Sequence, residues 1–299
     1  SSGNNIGVWP SSNAIDLASS RVSSATAYYT PVKDQANVTV ITGAHVTRLI
    51  FTAEHDGAAV NRVEYTVGNR DQILSVFVGK EAILSAGSYQ TPQILELSGI
   101  GSRQVLESQD INVVVDLPGV GENLRGIMLV SQFVPTPVRP APKPNGNGHF
   151  SFPLILTHPF SRGSVHLASK DPTNPPLVDL SLFDHSADIE ILVNAVKFAR
   201  RLCGTEAFKG VVVEEITPGP NVQSDDEIKE YLRNVVDITH HPLGTAAMLP
   251  RDQGGVVDST LKVYGTTNLR VVDASIIPLQ IAAHPQATIY AIAEKVRYN

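Results

Sequence analysis

Ser85-Ala86-Gly87-Ser88-Tyr89-Gln90-Thr91-Pro92-Gln93-Ile94-Leu95-Glu96-Leu97-Ser98-Gly99-Ile100-Gly101 is the most specific stretch of the chain. A β-rich run over residues 73–84 leads into it and stops at small residues. Thr91 carries the side-chain oxygen of a helix cap, and Pro92 suits the first helical position, where its missing N–H costs nothing. Ile94, Leu95 and Leu97 give the helix an apolar side, and Ser98-Gly99 ends it. The small residues at the strand end leave room for a bulky ligand against the backbone. A strand feeding a helix, beside antiparallel strands, puts the chain in the α/β (α+β) class.

Upstream, residues 38–41, 45–51, 60–67 and 73–84 are β-rich and separated by Thr42-Gly43-Ala44, Asp56-Gly57 and Gly68-Asn69. That turn chemistry predicts an antiparallel meander. Residues 1–30 read as an irregular loop with a short helix near residues 23–29. Downstream, Gly119-Val120-Gly121-Glu122-Asn123-Leu124 is not a dinucleotide fingerprint, because the third Gly and the following helix are missing. Five prolines within residues 134–148 mark a linker or exposed loop.

A second lobe follows. Residues 152–157 and 163–168 read as strands joined by a Pro159-Phe160-Ser161-Arg162 turn. Ile189, Leu192, Val196, Ala199 and Leu202 share one face of a helix over residues 188–202. Ser224 and Glu227 form a capping box for another helix, running through Val236. Residues 256–258 and 269–275 read as strands, and residues 289–298 as a helix. His149, His158, His166 and His185 lack metal-ligand spacing and read as structural or surface residues.

The chain of 299 residues has 42% hydrophobic and 17% charged content and a net charge of -6. This excludes the basic footprint of a nucleic-acid binder. Its apolar runs fall far short of a membrane span. The single cysteine, Cys203, excludes an intrachain disulfide. Asn37-Val38-Thr39 is an N-glycosylation triplet and favours a secretory route. The chain opens at Ser1 without Met, as expected of a processed, partial or trimmed sequence.

Asp237-Ile238-Thr239-His240-His241-Pro242-Leu243-Gly244-Thr245-Ala246-Ala247 is the second informative stretch. Pro242 pushes His241 away from helical geometry, and Gly244 lets the chain turn closely past whatever the histidines face. A neutral imidazole held this way suits general-base work. His284 likewise precedes a proline, at the mouth of the last helix.

Residues 87–101 resemble, at all fifteen positions, the second signature of the glucose–methanol–choline (GMC) oxidoreductases, flavoenzymes that oxidise alcohols. Residues 117–124, 240–245 and 269–298 resemble further segments of that family in the expected order, closest to its fungal aryl-alcohol-oxidase-like branch. The resemblance implies FAD as cofactor and an alcohol as substrate. It implies an FAD lobe of residues 1–125 and 234–299 and a sheet-and-helix substrate lobe of residues 126–233. His241 would take the hydroxyl proton as hydride passes to flavin N5, His284 would bond the same oxygen, and His240 would be structural. Flavin contacts are implied near Val46, at Asp273 and Ala274, and along Pro285, Gln286 and Thr288. Asp273 would order the loop or a ribityl hydroxyl rather than touch phosphate, since like charges repel.

The chain departs from the family in three places. Residues 125–127 are Arg-Gly-Ile, where relatives commonly carry an acidic residue and a histidine. A much longer substrate-domain stretch joins the flanks of residues 134–148 in relatives, so either the roof is shortened here or the sequence omits a segment. The Gly-x-Gly-x-x-Gly turn that cradles pyrophosphate is absent from all 299 residues. A chain with nothing more is expected to hold flavin weakly; a complementing N-terminal chain would supply the turn. Rival readings are a flavin-free descendant using the histidine pair for lyase, isomerase or cyclase chemistry, and a non-catalytic partner of a full-length enzyme.

Overall fold

The computed structural model describes residues 14–16, 18, 20–68, 72–130 and 150–296. The proline-rich segment of residues 134–148 and His149 lie outside the described residues. Residues 1–44 and 45–299 pack as two units. In the first, Ala25–Tyr29 form a single π-helical turn with nothing buried. The strand expected over residues 38–41 does not form. Those residues are mostly exposed and have no ladder partner, and an unpaired strand has no hydrogen bonds to hold it.

In the second unit, β1 (Ala44–Glu54), β2 (Gly57–Val67) and β3 (Leu74–Phe77) form a sheet in that order, with β2 and β3 antiparallel. The meander expected from the turns ends there. The rest of the β-rich run, β4 (Ala82–Leu84), leaves it and pairs in parallel with β12 (Leu269–Val271), Ala82 opposite Leu269. No local pattern could announce that partner.

Helix α1 (Gly87–Leu97) begins earlier than a Thr91 cap allows, so Pro92 lies inside it. Proline has no N–H for the carbonyl four residues back. That carbonyl, of Ser88, instead accepts the Thr245 hydroxyl at 2.7 Å. Thr91 does not cap a helix start; its hydroxyl donates to Asp273 at 2.6 Å and accepts the Ala86 N–H at 3.2 Å. The chain continues through β5 (Ile100–Gly101), α2 (Arg103–Ser108) and β6 (Val115–Asp116), with β5 and β6 parallel. Leu95, Ile100, Leu117, Leu243, Val256, Leu269 and Ile276 belong to one buried core.

A second core forms between a sheet of order β11-β7-β8 and two helices. The strands are β7 (Met128–Val130), β8 (Leu154–Leu156) and β11 (Asp237–Ile238). The helices are α3 (Ser186–Cys203) and α4 (Asp225–Val235). Ile189, Leu192, Val193 and Val196 recur at helical spacing on the buried side of α3. The Ser224–Glu227 capping box is present at the start of α4. The expected hairpin of residues 152–168 does not form. β9 (Ser164–His166) pairs with β10 (Leu177–Asp179) instead of β8. The intervening turn is drawn to α3, where buried Asp188 accepts the N–H groups of Phe160 and Ser161 and the Ser161 hydroxyl. Residues 256–258 make only single bridges, Val257 to Met248 and Val263. The last helix, α5 (Gln286–Val296), has no buried residue.

Candidate active site

The histidine stretch is the distorted end of a ladder. Asp237 and Ile238 face Leu129 and Met128, and Thr239 donates to the Ile127 carbonyl at 3.0 Å. Farther on, Leu243 and Arg125 exchange both backbone bonds at 2.9 Å. Between these points Gly126 alone stands opposite His240, His241 and Pro242. The surplus residues bulge out, and His240 takes the left-handed conformation, φ 57. Bulges of this kind re-aim a side chain and are common beside active sites. Gly126 gives the bend its room, because a Cβ there would come within 2.8 Å of Ile238 Cγ2. Pro242 cannot donate, and its carbonyl accepts the Ser88 hydroxyl at 2.8 Å, pinning the bulge to α1.

The result is a pair of imidazoles from positions 43 apart: His241 Nε2 lies 2.7 Å from His284 Nδ1. The rings meet edge to face, with centroids 5.0 Å apart and planes at 85°. One nitrogen donates and the other accepts, so the contact holds a single proton. His241 is half-buried, His284 is exposed on the loop before α5, and exposed His240 stands outside the pair.

The other sequence-selected residues fall into two groups. Asp273 is buried with both carboxylate oxygens occupied. One accepts the Ser275 N–H at 2.8 Å and its hydroxyl at 2.5 Å; the other accepts the Gly87 N–H at 2.9 Å and the Thr91 hydroxyl at 2.6 Å. Asp273 thereby ties the end of β12 to α1, while Ala274 opens a 3-10 turn packed on the first core. Val46 lies in β1, half-buried against that core. Buried Pro285, exposed Gln286 and half-buried Thr288 belong to the start of α5. The first bond of that helix runs from Ile289 N to Pro285 O at 2.9 Å, which leaves the preceding N–H groups at its positive end.

Two features had no signal in the sequence. Gln280 is 2% exposed, and neither its amide nitrogen nor its oxygen has a hydrogen-bond partner. His166 bridges two carboxylates, Nδ1 2.7 Å from Glu96 and Nε2 3.1 Å from Glu122. Burial pushes the fully enclosed Glu96 carboxyl up, against the opposing pull of His166, and the bond to Glu96 raises the His166 imidazole. Among the described residues no group of three His, Cys, Asp or Glu side chains is placed to hold a metal, and no helix is long and apolar enough to cross a membrane.

Comparison with known proteins follows the same lines. Two family models, both described as GMC oxidoreductase, match residues 14–127 and 159–293. A GMC oxidoreductase family protein of Malassezia sympodialis, Mala s 12, is 31% identical over 98% of this chain and 60% of its own length. Choline oxidase of Arthrobacter globiformis is 30% identical over 92% of this chain and 58% of its own length. A solved fungal aryl-alcohol oxidase superposes with a TM-score of 0.79 at 27% identity, covering 92% of this chain and 63% of that one. The chain thus spans about three fifths of the length of the curated relatives it matches. The alignment with the Malassezia protein runs over 374 positions, more than the 299 residues of this chain, so that relative carries internal residues with no counterpart here.

Proposed function

This chain belongs to the GMC oxidoreductase family, and from that premise we propose that it is the histidine-bearing part of an FAD-dependent oxidoreductase acting on the CH–OH group of an alcohol. The observation that supports this reading best is the His241–His284 contact of 2.7 Å, made by two loops that share no local sequence relation. The same reading divides residues 45–299 into a flavin lobe and a roof of residues 126–233, supported by the two separate buried cores.

The residues present fit the ring end of FAD. The positive end of α5 is open, and the enclosed Gln280 amide offers one donor set and one acceptor without partners. Asp273 is spent within the protein, so its part is to hold the strand end rather than to meet the cofactor. FAD supplies the hydride acceptor. His241 is the general base: it takes the hydroxyl proton as the carbon loses hydride and the C–O bond becomes a carbonyl. His284 bonds the same oxygen. Hydrogen bonds from one oxygen to both rings need about 2.8 Å each. The alcohol oxygen therefore replaces the direct bond between the imidazoles, and the exposed His284 ring, beside Ala282 and Ala283, has room to turn aside while its loop stays in place.

Anaerobic addition of primary alcohols to FAD-reconstituted protein, followed by flavin absorbance, tests the reading. His241→Ala is expected to slow bleaching about a hundredfold to ten-thousandfold. His240→Ala is expected to change it little. Bleaching at an unchanged rate in His241→Ala would remove that residue from the role of base.

A further inference from the structure

One amide spans the two loops that carry the histidines. Asn123 Nδ2 donates to the Gly244 carbonyl at 3.3 Å and to the Pro278 carbonyl at 3.2 Å. Gly244 lies just beyond the His241 bulge, and Pro278 lies on the chain leading to His284. The Asn123 oxygen accepts from Arg125 Nε at 3.1 Å, which fixes the orientation of the amide. Its backbone is left-handed, φ 58, a conformation asparagine tolerates better than most residues. Gly244 is shaped to receive it: a Cβ there would sit 2.5 Å from the Asn123 carbonyl and 2.9 Å from its Nδ2. The remaining ties between these loops, Ala246 N to Ser275 O at 2.9 Å and Met248 N to Ile276 O at 2.8 Å, lie farther along the chain from His241.

From this geometry we propose that Asn123 is a positioning residue for the reaction, setting the separation of His241 and His284 by holding their two loops at a fixed distance. This rests on the histidine pair being the acid–base centre, as argued above. A displacement of about 1 Å at a reacting group costs on the order of a hundredfold in rate. The Ser88 bond to Pro242 fixes the bulge to α1, while the Asn123 amide is the tie nearest the bulge that joins the two histidine loops to each other.

The test uses Asn123→Gly, which keeps the left-handed backbone and removes the amide. Asn123→Asp, which keeps the acceptor for Arg125 and removes the donor, is the second variant. Histidine-labelled protein is examined by NMR for coupling across the hydrogen bond between His241 Nε2 and His284 Nδ1, alongside thermal melting. The coupling is expected in the unaltered chain and lost in both variants while the melt stays cooperative. In FAD-reconstituted protein kcat is expected to fall about tenfold to a hundredfold with KM less affected. Coupling of unchanged strength in either variant overturns the proposal. So does its loss only together with the folded state in both variants, which would make Asn123 a folding residue. If no alcohol is oxidised by the unaltered chain with FAD bound, the functional reading fails, yet the coupling still decides whether Asn123 sets the pair.

Discussion

Helices α1 and α5 are each eleven residues long and both reach the histidine site, yet they are built in opposite ways. Seven residues of α1 are buried, and its buried polar side chains are used up inside the protein: Ser88 on Pro242, Thr91 on Asp273, Gln93 on Asn174 and Glu96 on His166. Helix α5 buries none; Ile289, Ile292 and Val296 lean on the first core from a half-exposed position. Its opening turn and His284 face outward. The helix that sets the geometry satisfies its buried polar side chains, whereas the helix that would meet a ligand leaves its first N–H groups open. Low burial is where local opening is easiest, so mobility is expected at α5 and rigidity at α1.

The comparison breaks if the two helices respond alike to truncation. Leu95→Ala removes a side chain with no exposure and is expected to cost about 2–5 kcal/mol by urea denaturation. Ile289→Ala, on the half-exposed face, is expected to cost about 1 kcal/mol, since only part of its surface leaves water. Equal costs would show α5 to be as firmly seated as α1.

A finer test lies in the proline of α1. Thr245→Val leaves the Ser88 carbonyl without a partner and is expected to cost about 1–3 kcal/mol. In a Pro92→Ala background the new N–H can reach that carbonyl along the helix, so the same change should cost less. A double-mutant cycle measures the difference. The same cost in both backgrounds would mean that the Thr245 bond is not compensating for the proline.

The smallest effect is a pH slope. His166 is raised by Glu96, so its contribution is fully present below the ordinary histidine value of about 6.5 and fades as pH rises through the raised folded value. Glu96, raised by burial, acts in the same direction from about 4.5 upward, because the folded state holds its proton longer. Stability should therefore fall on the alkaline side of pH 6.5, and His166→Gln should flatten that part of the slope. A variant keeping the full alkaline slope would assign it to another group.

Much of this was legible in advance because it depends on neighbours in sequence. The spacing of Ile189, Leu192 and Val196 marked α3, Ser224 with Glu227 marked the start of α4, and turn residues marked β1 and β2. Pro242 and Gly244 showed that the histidine stretch was held in an unusual backbone. The start of α1 was misread because Thr91 and Pro92 have the chemistry of a cap. Their use instead depends on Asp273 and Thr245, far away in the chain. The hairpin of residues 152–168 failed for the same reason: its turn is claimed by Asp188.

By itself the sequence determined the existence of α1, α3, α4 and α5, the first two strands, the family and the identity of two proline-preceding histidines, since periodicity, turn chemistry and residue type are local. Only the tertiary structure decided the parallel pairing of β4 with β12, the extra residues of the His240–Pro242 bulge and the bridge made by Asn123. Each of these depends on where a distant carbonyl or strand edge comes to rest. Side-chain identity leaves that open, because any backbone carbonyl offers the same acceptor and folding alone selects which one is in reach.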